Sequence, residues 1–254
     1  MFGQGLDFGS ITNVGEPLVT SFTSTSTVVN SSLTSVLGFG YNVNDGYLYT
    51  LENTTPGNDP RPLVKRNALT GAYISTGGNF TSSVTGTNLQ NFAIDSDGYF
   101  WFMFRNSSAS KVRKYDFNGN YQNVEHTIVP YYGDGVAIDT SKTPNVIYGT
   151  RNNSNTIYRI NTNGVSQGAI SIQNGTNSDQ IMYCNPSVMM RVYSQGSYAG
   201  NMYKFNIDTN QSLGSFPAYD IKHYAGGAYN PVDKIAWFVN YGTANQMRKF
   251  TANF

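Results

Sequence analysis

Short apolar runs, separated by turns rich in glycine and asparagine, recur along the chain. Between residues 91 and 121, β-branched and aromatic residues fill segments 92–95, 99–105 and 111–117. Asp97-Gly98 separates the first two segments, a polar loop at residues 106–110 separates the next two, and Asn118-Gly119 follows the third. Glycine supplies the positive φ that tight hairpin turns need. No segment keeps the 3.6-residue period of an amphipathic helix. The pattern predicts an all-β fold built from hairpins.

The same hairpin unit is repeated along the sequence. The third strand of each unit starts at residue 64, 112, 157, 202 or 247, which gives spacings of 48, 45, 45 and 45 residues. Each copy begins with an aliphatic residue or methionine and has a basic residue at its third position: Arg66, Lys114, Arg159, Lys204 and Lys249. Five units of this length predict a five-bladed β-propeller with four antiparallel strands per blade.

The other predicted strands keep the same spacing. First strands fall at residues 39–42, 92–95, 136–139, 181–184 and 227–230. Second strands hold large aromatic residues, with Trp101, Tyr148 and Trp237 in equivalent places. This agreement supports the repeat.

The fifth unit is truncated, because the chain stops at Phe254 where the other units turn into a fourth strand. Residues 14–22 resemble residues 70–75, which begin a predicted fourth strand. We therefore expect an N-terminal strand in this segment to complete the last blade and to remove an open sheet edge. Residues 14–254 then form one propeller domain, and residues 1–13 form an N-terminal extension.

Three segments carry a family resemblance: FGYNVNDGYLY at residues 39–49, FAIDSDGYFWF at 92–102 and GAYNPVDKIAW at 227–237. They resemble the NHL and YVTN-type propellers of bacterial surface, adhesin-like and phage virion proteins. The resemblance covers nearly the whole chain and implies the propeller fold. It does not imply one function, because propellers host many functions.

Composition restricts the possible partners. Charged residues make up 12% of the chain and the net charge is +1, so no global field attracts nucleic acid. No apolar run approaches the ~20 residues of a membrane span, and the N-terminus lacks the features of a signal peptide. Cys184 is the single cysteine, and we expect a buried, inert thiol. A virion-surface or extracellular location is the expectation.

Two motifs have both a chemical and a structural interpretation. Asp95-Ser96-Asp97-Gly98 resembles the start of a calcium loop, but its twelfth position is Asn106 where such a loop needs glutamate. We interpret it as a hairpin turn and predict no metal site. The repeated basic column could be a ring of anion ligands, but its regularity favours structural contacts between blades.

Catalytic motifs are scarce. His126 and His223 are the only histidines, and neither lies in a recognisable nucleophile motif. The three glutamates are Glu16, Glu52 and Glu125. We predict no catalytic residues and no cofactor. Asp134, Asp139 and Asp179 could approach the central channel, which leaves a glycoside-active enzyme as a weaker alternative.

Aromatic residues beside polar ones in the predicted loops are the main functional signal. They suit stacking on sugar rings or contact with a protein. The candidate ligand-binding residues are Tyr131, Tyr132, Asp134, Asp179, Tyr219, Asp220, His223 and Tyr224.

The expected function is therefore a non-catalytic binding or structural propeller. The first hypothesis is a virion surface component, such as a phage tail, fibre or capsid-associated protein. It would engage a glycan, a cell-surface receptor or another virion protein. The alternative is an extracellular, lectin-like adhesin that binds carbohydrate.

Overall fold

A computed structural model describes residues 19–30, 35–53, 61–80, 88–151, 154–171, 178–184, 187–192, 201–217, 226–239 and 246–253. These residues form five four-stranded antiparallel sheets, and they contain no helix. The prediction of an all-β fold is confirmed.

Four of the sheets follow the chain without a break. The first sheet contains β2 (Ser35–Asn42), β3 (Tyr47–Asn53), β4 (Arg61–Asn67) and β5 (Tyr73–Phe80). The second contains β6 (Asn88–Ile94), β7 (Phe100–Arg105), β8 (Ser110–Tyr115) and β9 (Tyr121–Val129). The third contains β10 (Gly133–Asp139), β11 (Val146–Arg151), β12 (Thr156–Asn161) and β13 (Ser166–Ser171). The fourth contains β14 (Ser178–Cys184), β15 (Ser187–Val192), β16 (Asn201–Asn206) and β17 (Gln211–Pro217).

The fifth sheet joins the two ends of the chain. It contains β18 (Gly227–Asn230), β19 (Ile235–Val239) and β20 (Gln246–Asn253), with β1 (Ser21–Asn30) on its outer edge. β1 pairs antiparallel with β20 from Ser21 opposite Asn253 to Asn30 opposite Gln246. The N-terminal strand therefore completes the last sheet.

The position of this closing strand differs from the prediction. The predicted segment, residues 14–22, overlaps β1 only at Ser21 and Phe22, and residues 1–18 lie outside the described residues. Phe22 packs on Tyr229 and Phe238, with ring centroids 6.2 Å and 5.9 Å apart. This contact with distant strands places the closing strand later in the chain than the local turn pattern suggested.

The five sheets are arranged in a closed ring. The first strands contact one another in a cycle, from β2 through β6, β10, β14 and β18 back to β2. Each of five hydrophobic clusters lies between two neighbouring sheets. Side chains alternate across each strand, so Ile94 packs toward the first sheet and Ala93 toward the third. This is a propeller arrangement of antiparallel sheets.

The turns after four of the five first strands, β2, β6, β10 and β18, are each built on a buried polar side chain. Asn42, Asp95, Asp139 and Asn230 each accept a hydrogen bond from the backbone N–H two residues later, at 2.9–3.0 Å. Gly98 completes one such turn with φ 86°. These Asx turns confirm that Asp95-Ser96-Asp97-Gly98 is a hairpin turn.

The basic column makes contacts inside the fold. Arg66 pairs with Glu52, and Lys114 pairs with Asp95 with Nζ 3.1 Å from Oδ2. Lys204 donates to the Thr20 carbonyl at 2.8 Å, and Lys249 donates to the Leu69 carbonyl at 3.1 Å. These last two bonds link neighbouring sheets: Lys249 joins the fifth sheet to the first, and Lys204 joins the fourth sheet to residue 20, which precedes β1. The geometry favours the structural interpretation.

Substitutions of Lys114 can show whether a residue of the basic column stabilises the fold through its packed stem or through its charge. The Lys114 Nζ lies 4.2 Å from the Tyr99 ring centroid, so both stem and charge are in use. Lys114→Met should keep the packed stem, whereas Lys114→Ala should lose both and cost about 1 kcal/mol more in unfolding free energy. Urea denaturation of the two variants measures this difference. Equal destabilisation by the two substitutions would show that packing of the stem contributes nothing.

Candidate functional site

The structure describes three of the eight predicted ligand-binding side chains. Tyr131 and Tyr132 lie in the connection from β9 to β10, and Asp134 lies near the start of β10. Asp179 belongs to β14, but its side chain is outside the described part. The remaining predictions also lie outside the described residues: Tyr219, Asp220, His223 and Tyr224.

The connection between β9 and β10 holds two tyrosines outward. Tyr131 is 50% exposed and Tyr132 is 46% exposed. Both have positive φ, 64° and 39°, a region that residues with a side chain seldom adopt. The Tyr132 N–H donates to the Asn106 carbonyl at 2.8 Å and so ties the connection to the loop after β7. A strained backbone held in this way keeps two aromatic rings exposed.

Two arginines lie beside these rings. The Arg105 guanidinium is 5.1 Å from the Tyr132 ring centroid, and that of Arg151 is 5.3 Å from the Tyr131 centroid. Arg105 Nη1 also lies 3.0 Å from Asp134 Oδ1. We call Arg105, Tyr131, Tyr132 and Arg151 the tyrosine rim.

Asp134 is the buried partner of Arg105 in the tyrosine rim. Its side chain is buried, being 6% exposed, while that of Arg105 is 29% exposed. The carboxylate therefore orients Arg105, and it does not face solvent as a loop carboxylate would. Neither arginine is among the predicted ligand-binding residues, because each lies at the end of a second strand, far from the tyrosines in sequence.

A cavity lies at the C-terminal end of the first strands, opposite the tyrosine rim. It has a volume of about 240 Å³ and is lined by the C-terminal halves of β2, β6, β10, β14 and β18 and by the residues that follow them. Tyr131 and Tyr132 precede β10, so the rim and the cavity occupy opposite ends of that strand. The ligand-binding residues predicted from the sequence were assigned to the rim end alone.

Buried amides lie next to this cavity on the rim side. Asn91 Nδ2 donates to Gln180 Oε1 at 2.8 Å, and Gln180 Nε2 donates to the Asp134 carbonyl at 3.3 Å. Asn91 and Gln180 each directly precede a lining residue, Phe92 or Ile181. The bond spans from the second sheet to the fourth, so these side chains form a floor across the centre of the ring.

The candidate acid–base groups make structural contacts. Glu52 bonds to Arg66, and Glu125 pairs with Lys111 and Arg113. The His126 ring stacks on Trp101, and its Nε2 lies 3.1 Å from the Thr162 carbonyl oxygen. None of these side chains lines the cavity. Cys184 is buried, and burial raises the pKa of its thiol well above the ordinary value, in accord with the prediction.

Within the described ranges, no group of three or more histidine, cysteine or carboxylate side chains is placed to hold a metal ion. No helix there is long and apolar enough to cross a membrane.

Comparison with known proteins gives structural likeness alone. No family model matches the sequence, and no curated protein matches it. The fold is similar to virginiamycin B lyase from Staphylococcus aureus, at 11% identity and TM-score 0.50, over 91% of this chain and 99% of that one. It is also similar to a protein of unknown function from Bacteroides caccae, at 11% identity and TM-score 0.51, over 84% of this chain and 81% of that one.

A third similar structure is hydrazine synthase from Kuenenia stuttgartiensis. The identity is 12% and the TM-score 0.51, over 84% of this chain. The alignment spans 57% of the hydrazine synthase chain. At such identities the likeness concerns the fold, and with the ring of antiparallel sheets it supports a β-propeller arrangement.

Proposed function

We propose that the protein is a non-catalytic binding module built on a single five-bladed propeller. Each sheet is one blade, and β1 closes the ring. The observation that carries the binding role is the tyrosine rim, where two adjacent tyrosines are held half-exposed against arginine guanidinium groups. Tyrosine and arginine are the residue types that dominate the energetics of binding interfaces.

The rim suits a surface with both apolar faces and polar groups. Tyrosine offers a ring for stacking and a hydroxyl for hydrogen bonding. Arg105 and Arg151 add donors at fixed positions, and Asp134 orients Arg105. A glycan or a protein receptor that presents sugar hydroxyls, carbonyls or carboxylates has the complementary chemistry.

We propose a virion surface as the setting, in a phage tail, fibre or capsid-associated protein. Two observations support this setting. The composition has few charged residues and abundant tyrosine and glycine, and the sequence resembles phage and adhesin-like propellers. The alternative is an extracellular adhesin. If the protein is a virion component, it should be found in purified phage particles. If it is an adhesin, it should be found on the cell surface in the absence of phage particles.

Substitution of Tyr132 tests the rim. Tyr132→Ala should weaken attachment to the partner by about 1–2 kcal/mol, a typical cost for an interfacial aromatic residue outside the strongest hot spots. The melting temperature should stay near that of the wild type, because the ring is half-exposed. Glycan-array and host-cell binding assays measure the effect.

A second exposed tyrosine supplies the matched control. Tyr73 lies at the start of the outer strand β5 and is 58% exposed. Tyr73→Ala removes the same side chain from a different surface and should leave attachment unchanged. If both variants bind like the wild type, or both weaken binding equally, the rim is not the binding site.

A further inference from the structure

The central cavity is the strongest feature that the proposed binding role does not use. Equivalent positions of the five first strands carry Gly40, Ala93, Ala137, Met182 and Ala228, and all five line the cavity. In the second strands, Tyr49, Trp101, Tyr148 and Trp237 lie opposite the glycine and the alanines. Four small residues leave the centre open while the aromatic residues fill the space between sheets.

The described residues leave the cavity a mouth at the end away from the floor of Asn91 and Gln180. The floor lies on the rim side, and the mouth is surrounded by Val43, Thr140, Ser141 and Pro231. These residues follow the first strands, at the end of the ring opposite Tyr132. A molecule in the cavity would therefore not contact the tyrosine rim.

The lining is nearly free of charge, and most of its side chains are apolar, although polar atoms form a substantial part of its surface. Among the lining residues in the described part of the chain, Asp95 is the only one that is charged at neutral pH. Its carboxylate already accepts from the Trp101 Nε1–H at 2.8 Å and faces Lys114 Nζ at 3.1 Å. An ionic ligand would lose its hydration without gaining an available counter-charge.

Hydroxyl groups supply the polarity that remains. Tyr41, Tyr183 and Tyr229 line the cavity, and the Tyr183 hydroxyl lies 3.5 Å from that of Ser141. Burial raises the pKa of the Tyr183 hydroxyl, and burial together with Asp233 and Asp45 raises that of Tyr41. Both phenols therefore stay protonated at neutral pH, and the Tyr183 hydroxyl already interacts with Asp139 and Ser141.

We propose that this cavity is a second binding site, for a small neutral ring compound that carries one or two hydroxyl groups. The apolar side chains of the lining would cover the ring, and the hydroxyl groups of Tyr41 and Thr140, which also line the cavity, would bond its polar group. A free sugar fits less well, because each of its several hydroxyls would need a partner, and most of the lining side chains are aliphatic or aromatic. The site is independent of the tyrosine rim.

Ligand-observed NMR can test the site with simple probes. Saturation transfer from the full-length protein would be measured to phenol and cyclohexanol, and to methyl glucoside, benzoate and benzylammonium as comparators. We expect transfer to the two neutral ring compounds, with dissociation constants in the millimolar range, and little transfer to the other three.

Val43→Trp places a large ring at the mouth, at a position that is 48% exposed and so tolerates size. It should weaken phenol binding at least tenfold, and Tyr132→Ala at the opposite end should leave phenol binding unchanged. Thr140→Phe is the second blocking variant, for use if Val43→Trp lowers the melting temperature.

Three results would overturn the proposal. The first is no transfer from the wild type to either neutral ring compound. The second is unchanged phenol binding in a blocked variant that melts like the wild type. The third is a preference for the glycoside or for an ion, which would show that the ligand class is wrong. Loss of rim binding by Tyr132→Ala is a separate readout, so failure of one site does not imply failure of the other.

Discussion

Arg66→Met should lower the free energy of unfolding by about 3–5 kcal/mol, the typical cost of removing one partner from a buried ion pair. Arg66 Nη2 lies 2.6 Å from Glu52 Oε1, and the two side chains are 3% and 0% exposed. The same guanidinium donates to the Gly71 carbonyl at 3.0 Å. The variant would keep the buried carboxylate and remove its cation.

The double variant Glu52→Met with Arg66→Met separates charge from packing. Replacing both partners by apolar residues of similar length removes the buried charge altogether, and such replacements are often neutral or stabilising. We therefore expect it to recover most of the stability that Arg66→Met loses. Urea denaturation at neutral pH gives the three free energies.

Lys249→Met is the matched control, because Lys249 occupies the same column and is partly exposed. It donates one hydrogen bond to the Leu69 carbonyl at 3.1 Å. Loss of one such bond should cost about 1 kcal/mol or less. If Arg66→Met costs no more than Lys249→Met, the buried ion pair does not have the role inferred for it.

Deletion of residues 1–30 should abolish the stable monomer. It removes β1 and leaves β20 as an unpaired edge, which can pair with another chain. It also removes Val19 and Phe22 from the cluster that joins the fourth and fifth sheets. We expect a lower melting temperature and association, measured by calorimetry and light scattering.

A peptide of residues 19–30 sharpens this test. If β1 acts by pairing with β20, the added peptide should restore the monomer and raise the melting temperature of the deletion variant. Phe22→Ala in the full chain should cost up to about 3 kcal/mol through lost packing while leaving the strand in place. A monomeric deletion variant with the wild-type melting temperature would show that β1 does not close the ring.

The ring organises two separate surfaces. The rim precedes β10 and the cavity follows the middle of the same strand, with the Asn91–Gln180 floor between them. Aromatic residues exposed at one end and a small neutral cavity at the other suit different ligands. The two proposals can therefore be tested in the same protein by variants that do not overlap.

Part of the candidate site was visible in the sequence. Tyr131 and Tyr132 stand beside glycine and aspartate in a predicted loop, and local loop chemistry is enough to predict that they are exposed. Arg105 and Arg151 were not among the predicted ligand-binding residues, because strand pairing and ring closure bring them beside the tyrosines. Asp134 was predicted as a ligand contact, but Arg105 covers it and the structure buries it.

The sequence by itself determined the strand-and-turn pattern, the period of the repeat and the Asx turns, because side-chain alternation and turn chemistry are local properties. Residues 92–94 illustrate the side-chain alternation of a strand, and residues 95–98 illustrate the turn chemistry. Only the tertiary structure decided where the closing strand begins, which carboxylates are buried, and that a floored cavity lies at the centre. Those features depend on contacts such as Phe22 with Phe238 and Asn91 with Gln180, between residues far apart in the chain.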